Sequence, residues 1–149
     1  LWILSGLYGC VRPFHAVEPY RLEMGAKLAV DDARDLYAFW SDKLARAIAP
    51  AGSNTTIVNL ASVEYAKAVL PHLAGDATAV TCLFGEGIRN GKPIQRSTAS
   101  KKARGSMARW MAENKLEDAS ELTAFNIGYR HIPELSDKNT LVFMNAQAQ

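Results

Sequence analysis

Two apolar, β-branched runs, Thr56-Ile57-Val58-Asn59-Leu60 and Ala77 to Phe84, flank a stretch with helical signals from Ser62 to Leu70. A strand, a helix with Ser62 as its N-cap, and a second buried strand in that order fit a sheet with helices packed on it. Ala33 to Ile48 reads as one amphipathic helix: Leu36, Trp40, Leu44 and Ile48 recur at helical spacing, Arg34, Asp42 and Lys43 lie off that stripe, and Pro50-Ala51-Gly52-Ser53 ends it. Leu1 to Leu4 reads as a short buried strand entering a turn at Ser5-Gly6-Leu7-Tyr8-Gly9. Asn90-Gly91 is a hairpin signal, because both positions tolerate positive φ. A short strand from about Lys92 to Arg96 and a helix from about Ser100 to Leu116 follow. Ser120 caps a further short helix, and Gly128 to Ile132 with Thr140 to Phe143 supply a closing strand pair. The expectation is a mixed α/β (α+β) fold, a central mixed sheet with packed helices, in one domain over residues 1–149.

Between Arg89 and Lys115 the chain carries eight basic side chains (Arg89, Lys92, Arg96, Lys101, Lys102, Arg104, Arg109, Lys115) against one acid, Glu113. That window is formally +7 in a chain whose total is +2, so the remainder sums to −5. An uneven distribution of this kind points to one face that attracts polyanions on an otherwise ordinary surface. In the helix expected there, Ala103, Met107, Trp110, Met111 and Asn114 form the inward side. Lys102, Ser106 and Arg109 make a second row, and Lys101, Arg104, Gly105, Ala108, Ala112 and Lys115 a third. Lys101 and Lys102 at a helix start oppose the macrodipole, an arrangement that makes sense if an anion binds at that end. Gly105 in the helix interior costs roughly 1 kcal/mol against Ala.

A second constellation runs from Leu4-Ser5-Gly6-Leu7-Tyr8-Gly9 through Arg12-Pro13 to Pro19-Tyr20-Arg21-Leu22-Glu23-Met24-Gly25. Gly6 and Gly9 permit a tight backbone that could form an anion nest. Arg12 and Arg21 suit bidentate phosphate contacts, and Tyr8 or Tyr20 offers a stacking face for a base. The plainer reading makes both tyrosines core aromatics and pairs Glu23 with Arg21. This turn and the start of the cationic helix are expected to meet in one pocket for negative groups.

The two cysteines, Cys10 and Cys82, have apolar neighbours and read as reduced, unreactive thiols, with Arg12 near Cys10 the one influence that would lower a pKa. His15, His72 and His131 share no metal-ligand spacing, so neither a metal nor a cofactor is expected. No segment approaches the ~20 apolar residues of a membrane-spanning helix. The opening apolar stretch has no preceding Lys or Arg and is broken by Ser5-Gly6, which argues against a leader. Without an initiator Met, the chain reads as a fragment whose upstream part is missing.

Leu4 to Gly25, Leu36-Tyr37-Ala38-Phe39-Trp40, Asn59 to Val69, and Lys101-Lys102-Ala103-Arg104-Gly105 through Trp110, followed by Asn114, Gly128-Tyr129 and Leu141-Val142-Phe143, together resemble the bacterial peroxide-stress protein family YaaA. The resemblance spans essentially the whole chain, in order. It implies a cytosolic protein that limits oxidative damage to DNA, with a compact mixed α/β fold and a positively charged, DNA-binding cleft associated with a helix-hairpin-helix element. The positions matching the family's charged and aromatic motif residues are Tyr8, Arg12, Tyr20, Arg21, Glu23, Lys101, Lys102 and Arg104. Family members open on an N-terminal portion with an Ile-Ser-Pro-Ala-Lys type motif that this chain lacks, and no helix-hairpin-helix glycine pair is legible here.

Three functions follow as expectations. The first is DNA binding through backbone contacts without sequence reading, carried by Arg12, Tyr20, Arg21, Lys101, Lys102, Arg104 and Arg109, with a small phosphorylated ligand as a variant occupant. The second is an enzyme acting on a nucleotide or damaged base, with Tyr8, Glu23 and Lys101 as candidate catalytic groups and Arg21 and Arg104 stabilising anions. No recognised nucleophile, metal or phosphate-loop motif supports it. The third is an auxiliary fragment whose basic face pairs with the missing portion.

Overall fold

In the computed structural model, which describes residues 1–147, the chain divides into two compact units. One comprises Leu1–Thr55 and Ala61–Thr78, the other Thr56–Leu60 and Ala79–Gln149. Among the described residues no helix is long and apolar enough to cross a membrane.

In the first unit, β1 (Ile3–Ser5) and β2 (Gly9–Val11) form an antiparallel ribbon that pairs Ile3 with Val11 and Leu4 with Cys10. A two-stranded ribbon buries one face only, so Leu4 and Cys10 pack on the core while Leu1 and Ile3 stay 72% and 48% exposed. The opening strand is therefore not buried, contrary to the sequence expectation. The helix expected over Ala33 to Ile48 is two helices, α1 (Leu36–Trp40) and α2 (Lys43–Ile48). Asp35 caps α1, its Oδ1 accepting from the Ala38 amide at 2.8 Å, and Ser41 breaks the run with φ of 47°. Both helices still present the expected stripe, since Leu36 and Leu44 enter one core with Met24, Ala45, Ala68 and Val69. Gly9 has φ of 75°, and a Cβ there would stand 2.7 Å from the Trp40 ring, so packing and backbone both demand glycine. The short α3 (Val63–Ala66) follows Ser62, whose backbone is extended but whose side chain makes no capping bond. A 3₁₀ turn at Leu70–His72 takes over where Pro71 removes an amide donor, so the helix does not run to Leu70 as expected.

The second unit holds a four-stranded mixed sheet. Its members are β3 (Thr56–Asn59), β4 (Thr78–Gly85), β7 (Tyr129–His131) and β8 (Thr140–Asn145), in the order β3-β4-β8-β7. β4 and β8 run parallel and β8 and β7 antiparallel. The interposed β5 (Ile88–Arg89) and β6 (Lys92–Pro93) make a hairpin, with Asn90 and Gly91 at φ of 52° and 72° as the sequence predicts.

The hairpin leads into α4 (Ser97–Glu113), which starts and stops about three residues before the expected positions. Its end is a Schellman turn: Lys115 adopts φ of 52°, its amide donates to the Ala112 carbonyl at 3.3 Å, and Leu116 donates to that of Met111 at 3.1 Å. The short helical segment expected after Ser120 is a 3₁₀ turn, Ala119–Ala124. Asp118 caps it, in a reciprocal box with Glu121, so Ser120 is a recipient of the cap and not its source.

Phe84 centres the core of this unit. It stacks on Phe143 at 5.5 Å between ring centroids and meets Phe125 and Tyr129 edge-on at 6.2 and 5.3 Å. Ala103 and Met107 of α4 and Leu122 close over this cluster. Because Phe84 is fully buried, Phe84→Ala should destabilise the protein by about 3–5 kcal/mol in chemical denaturation, with an unchanged denaturant slope if the loss is confined to this core.

Candidate anion-binding site

The inward face of α4 decides where its cations stand. Ser100, Ala103 and Met107 are buried, and Ser100 Oγ donates to the Phe84 carbonyl at 3.4 Å. With that side fixed, Lys101, Lys102 and Arg109 are exposed. Asn114, expected inward, is exposed instead, and its side chain donates to the Trp110 carbonyl at 2.8 Å.

Since α4 begins at Ser97, Lys101 and Lys102 occupy its second turn and not its first. The residue at the N-cap is Arg96, whose side chain makes no capping bond, and the first turn contains no acid. Amides of a helix's first turn lack intrahelical partners and carry partial positive charge, so this end favours anions even without the two lysines.

Arg104 and Arg109 differ from the lysines. The stem of Arg104 is half-buried, its Nη2 donates to Gln95 Oε1 at 3.3 Å, and its Nε is buried with no partner. Burial lowers the pKa of Arg104 from its ordinary value, although a guanidinium keeps its charge at any physiological pH. Arg109 forms an (i, i+4) ion pair with Glu113 at 2.7 Å, which raises its pKa. The ion pairs among the described residues are this one, Arg34–Asp35 and Arg46–Asp42, and none includes Lys101 or Lys102.

Tyr8, Arg12, Tyr20, Arg21 and Glu23 all belong to the first unit. The rings of Tyr8 and Tyr20 meet edge-on at 5.5 Å. Tyr8 Oη accepts from the Glu18 amide at 2.9 Å, and the Tyr20 hydroxyl is hydrogen-bonded to Ser5 Oγ. Both tyrosines thus frame the loop, while Tyr20 remains 42% exposed. The Arg12 guanidinium lies 3.7 Å above the Trp2 ring centroid. Arg21 and Glu23 are exposed because Leu22 and Met24 alternate with them and turn inward. The Arg21–Glu23 pair of the plainer alternative is not among the ion pairs of the described residues. Gly6 has a packing role: a Cβ there would meet the Leu22 carbonyl oxygen at 2.7 Å.

Neither thiol is activated. Burial raises the Cys10 pKa and outweighs the opposing Arg12 charge, and burial pushes Cys82 up to about 12. The sequence did not disclose a polar clasp at the carboxyl end of β4. There, Glu86 accepts from the Tyr129 hydroxyl on one oxygen and from Asn145 Nδ2 at 2.8 Å on the other. Its three members stand 43 and 59 positions apart, so only sheet pairing could reveal them. Glu86, the last acid before the basic window, was the available hint.

Fold and site together define a mixed α+β protein whose second unit presents a cationic hairpin and helix. Residues 1–135 match the family described as "Peroxide stress protein YaaA", and the chain belongs to that family. It is 45% identical over 150 residues to a UPF0246 protein of Desulfitobacterium hafniense, covering 100% of this chain and 59% of that protein. It is also 45% identical over 145 residues to one from Pediococcus pentosaceus (97% of this chain, 57% of the relative). A third, from a Ruegeria species, is 47% identical over 131 residues, 86% of this chain and 52% of the relative. The chain thus spans a little over half the length of these curated relatives.

The clasp makes a pH prediction. Hydrogen bonds from Tyr129 and Asn145 hold the Glu86 carboxyl below its ordinary value of 4.5, so its stabilisation is present above that pH and lost as pH falls through the lower folded value. Burial, followed by the bond to Glu86, pushes Tyr129 from 10.0 up to about 12, so its contribution is full below pH 10.0 and lost as pH rises toward 12. Melting temperatures of wild type and Tyr129→Phe should therefore differ most at neutral pH and converge between those two alkaline values.

Proposed function

We propose that the protein binds the phosphate backbone of DNA without reading sequence, works in the bacterial cytoplasm, and limits oxidative damage to DNA during peroxide stress. The observation that carries this reading is α4 with its N-terminal approach. Arg96 stands at the N-cap, the first turn holds no acid, and Lys101 and Lys102 are exposed and outside the ion pairs of the described residues. Membership of the peroxide stress family supplies the physiological setting. Backbone amides, lysines and a half-buried guanidinium are groups that position phosphates and carry no base code.

Lys101, Lys102 and Arg104 are the proposed principal contacts. Arg12 and Arg21 of the first unit are proposed further contacts, with Tyr20 as a stacking surface for an unpaired base. Arg109 contributes less, since Glu113 already neutralises it. A small phosphorylated molecule would be recognised by the same chemistry, and competition by inorganic phosphate or a nucleotide against duplex DNA separates the two occupants.

If about four phosphates are neutralised, log K should fall with log salt at a slope near −3.6, at about −0.9 per phosphate. The combined change of Lys101, Lys102 and Arg104 to Ala should flatten that slope toward about −0.9 and weaken binding to unrelated sequences equally. Fluorescence anisotropy across a salt series measures both, and an unchanged slope would refute the reading.

A further inference from the structure

The basic window ends where the opposite chemistry starts. From Lys115 to Glu121 the chain carries three acids, Glu117, Asp118 and Glu121, against Lys115 alone, a local sum of −2. Two of these acids line a cavity of about 180 Å³ beside the C-terminal end of α4, built wholly from the second unit. Its floor is apolar: Val58 of β3, Met111 of α4, Leu116 of the Schellman turn and Leu122 of the 3₁₀ turn that follows. Leu122 is fully buried, and the other three are half-buried at the margin of the Phe84 core.

Glu117 and Asp118 are the charged groups of the lining, and both are exposed, so they stand where the cavity meets water. Asp118 is held in place by the reciprocal cap. Its Oδ1 accepts from the Ser120 amide at 2.7 Å, a bond that keeps the carboxyl below its ordinary value, and its own amide donates to Glu121 Oε1 at 3.1 Å. Neither Glu117 nor Asp118 belongs to the ion pairs among the described residues. The end of α4, a 17-residue helix, adds the partial negative charge of its last carbonyls. Lys115, the nearest cation in the chain, is exposed and is not part of the lining. An apolar cavity of roughly 150 Å³ is enough to take up benzene. The space therefore matches an apolar body of that size, and the charge at its mouth selects the sign of what the body carries.

We propose that this cavity binds a small organic cation, a primary amine or guanidinium on an apolar body about as large as a benzene ring, with the cationic group at Glu117 and Asp118. The apolar body lies on Val58, Met111, Leu116 and Leu122. The site is independent of the phosphate-binding reading: it uses the other end of α4 and the opposite charge.

The test uses the intact protein with benzylamine, its neutral counterpart benzyl alcohol and the anion benzoate, followed by methyl NMR. Benzylamine should shift the methyl signals of Met111, Leu116 and Leu122. It should bind about fivefold more tightly than benzyl alcohol, the worth of a partly exposed ion pair, and benzoate more weakly than either. E117K, at an exposed position, should lower benzylamine affinity about fivefold, leave benzyl alcohol unaffected and keep the melting temperature. Ala119→Leu, which fills the cavity from its lining, should remove binding of both, and E117K decides if that variant does not fold. The Lys101, Lys102 and Arg104 triple variant should bind benzylamine like wild type, so failure of the phosphate reading leaves this one standing. The inference is overturned if benzylamine leaves those methyl signals in place, if benzyl alcohol or benzoate binds equally well, or if E117K or a folded Ala119→Leu binds benzylamine like wild type. It falls too if the protein sediments as a dimer in which the same methyl groups are covered, since a second copy is then the occupant.

Discussion

The burial of Phe84 against Phe143, Phe125 and Tyr129 governs the second unit, because the cationic helix α4 is packed on that cluster. Phe84 lies near the end of β4, paired directly with Phe143 across the parallel ladder. Ala103 and Met107 of α4 pack on the same cluster, and Ser100 reaches the Phe84 carbonyl. A helix pinned along one stripe has no freedom to rotate about its axis. Lys101 and Lys102 are thereby committed to water by the shape of an aromatic core several ångströms behind them.

The same strand end organises the hairpin. Glu86 follows β4 immediately, and its two oxygens are taken by side chains from β7 and β8. A carboxylate accepting two bonds from separate strands ties three chain segments together, and the amide of the same residue starts the ribbon through Ile94. The hairpin therefore has a root covalently continuous with the core. The exposed cations of the hairpin and of α4 thus belong to one mechanical assembly within the second unit.

Much of this was legible in the sequence, and the failures share a physical cause. Asn90-Gly91 set the hairpin because positive φ is a local property that two residues can declare. The mixed α+β class and the strands at Thr56, Ala77, Gly128 and Thr140 were likewise readable from composition and alternation. Periodicity, however, reports which face is buried and not whether the backbone is continuous. Leu36, Trp40, Leu44 and Ile48 keep helical spacing across Ser41 because α1 and α2 pack on the same core, so a break there left the pattern intact. Ser97 to Ala99 add a turn to α4 with no apolar signal to announce it, and Lys115 ends the helix in a conformation usually given to glycine. Tyr8 and Tyr20 carry a stacking face by residue type alone, yet their hydroxyl partners, Glu18 and Ser5, emerge only when the loop is folded.

The electrostatics of the basic window follow from rigidity as much as from count. Flexible like charges spread apart in water, where screening over ~8 Å at physiological salt makes their repulsion small. Arg89 and Lys92 are held opposite each other by a two-residue turn, and Lys101 and Lys102 are adjacent on a helix that cannot rotate. Arg104 is more constrained still: its stem is half-buried, its Nη2 is engaged with Gln95 and its Nε has no acceptor. Among the described residues the cations of this window form an ion pair only where Arg109 meets Glu113, and the remainder of the chain sums to −5. A polyanion with regularly spaced charges satisfies several such positions at once, whereas a single small anion satisfies one. That difference in valence is why the proposed occupant is a nucleic-acid backbone and not a free phosphate.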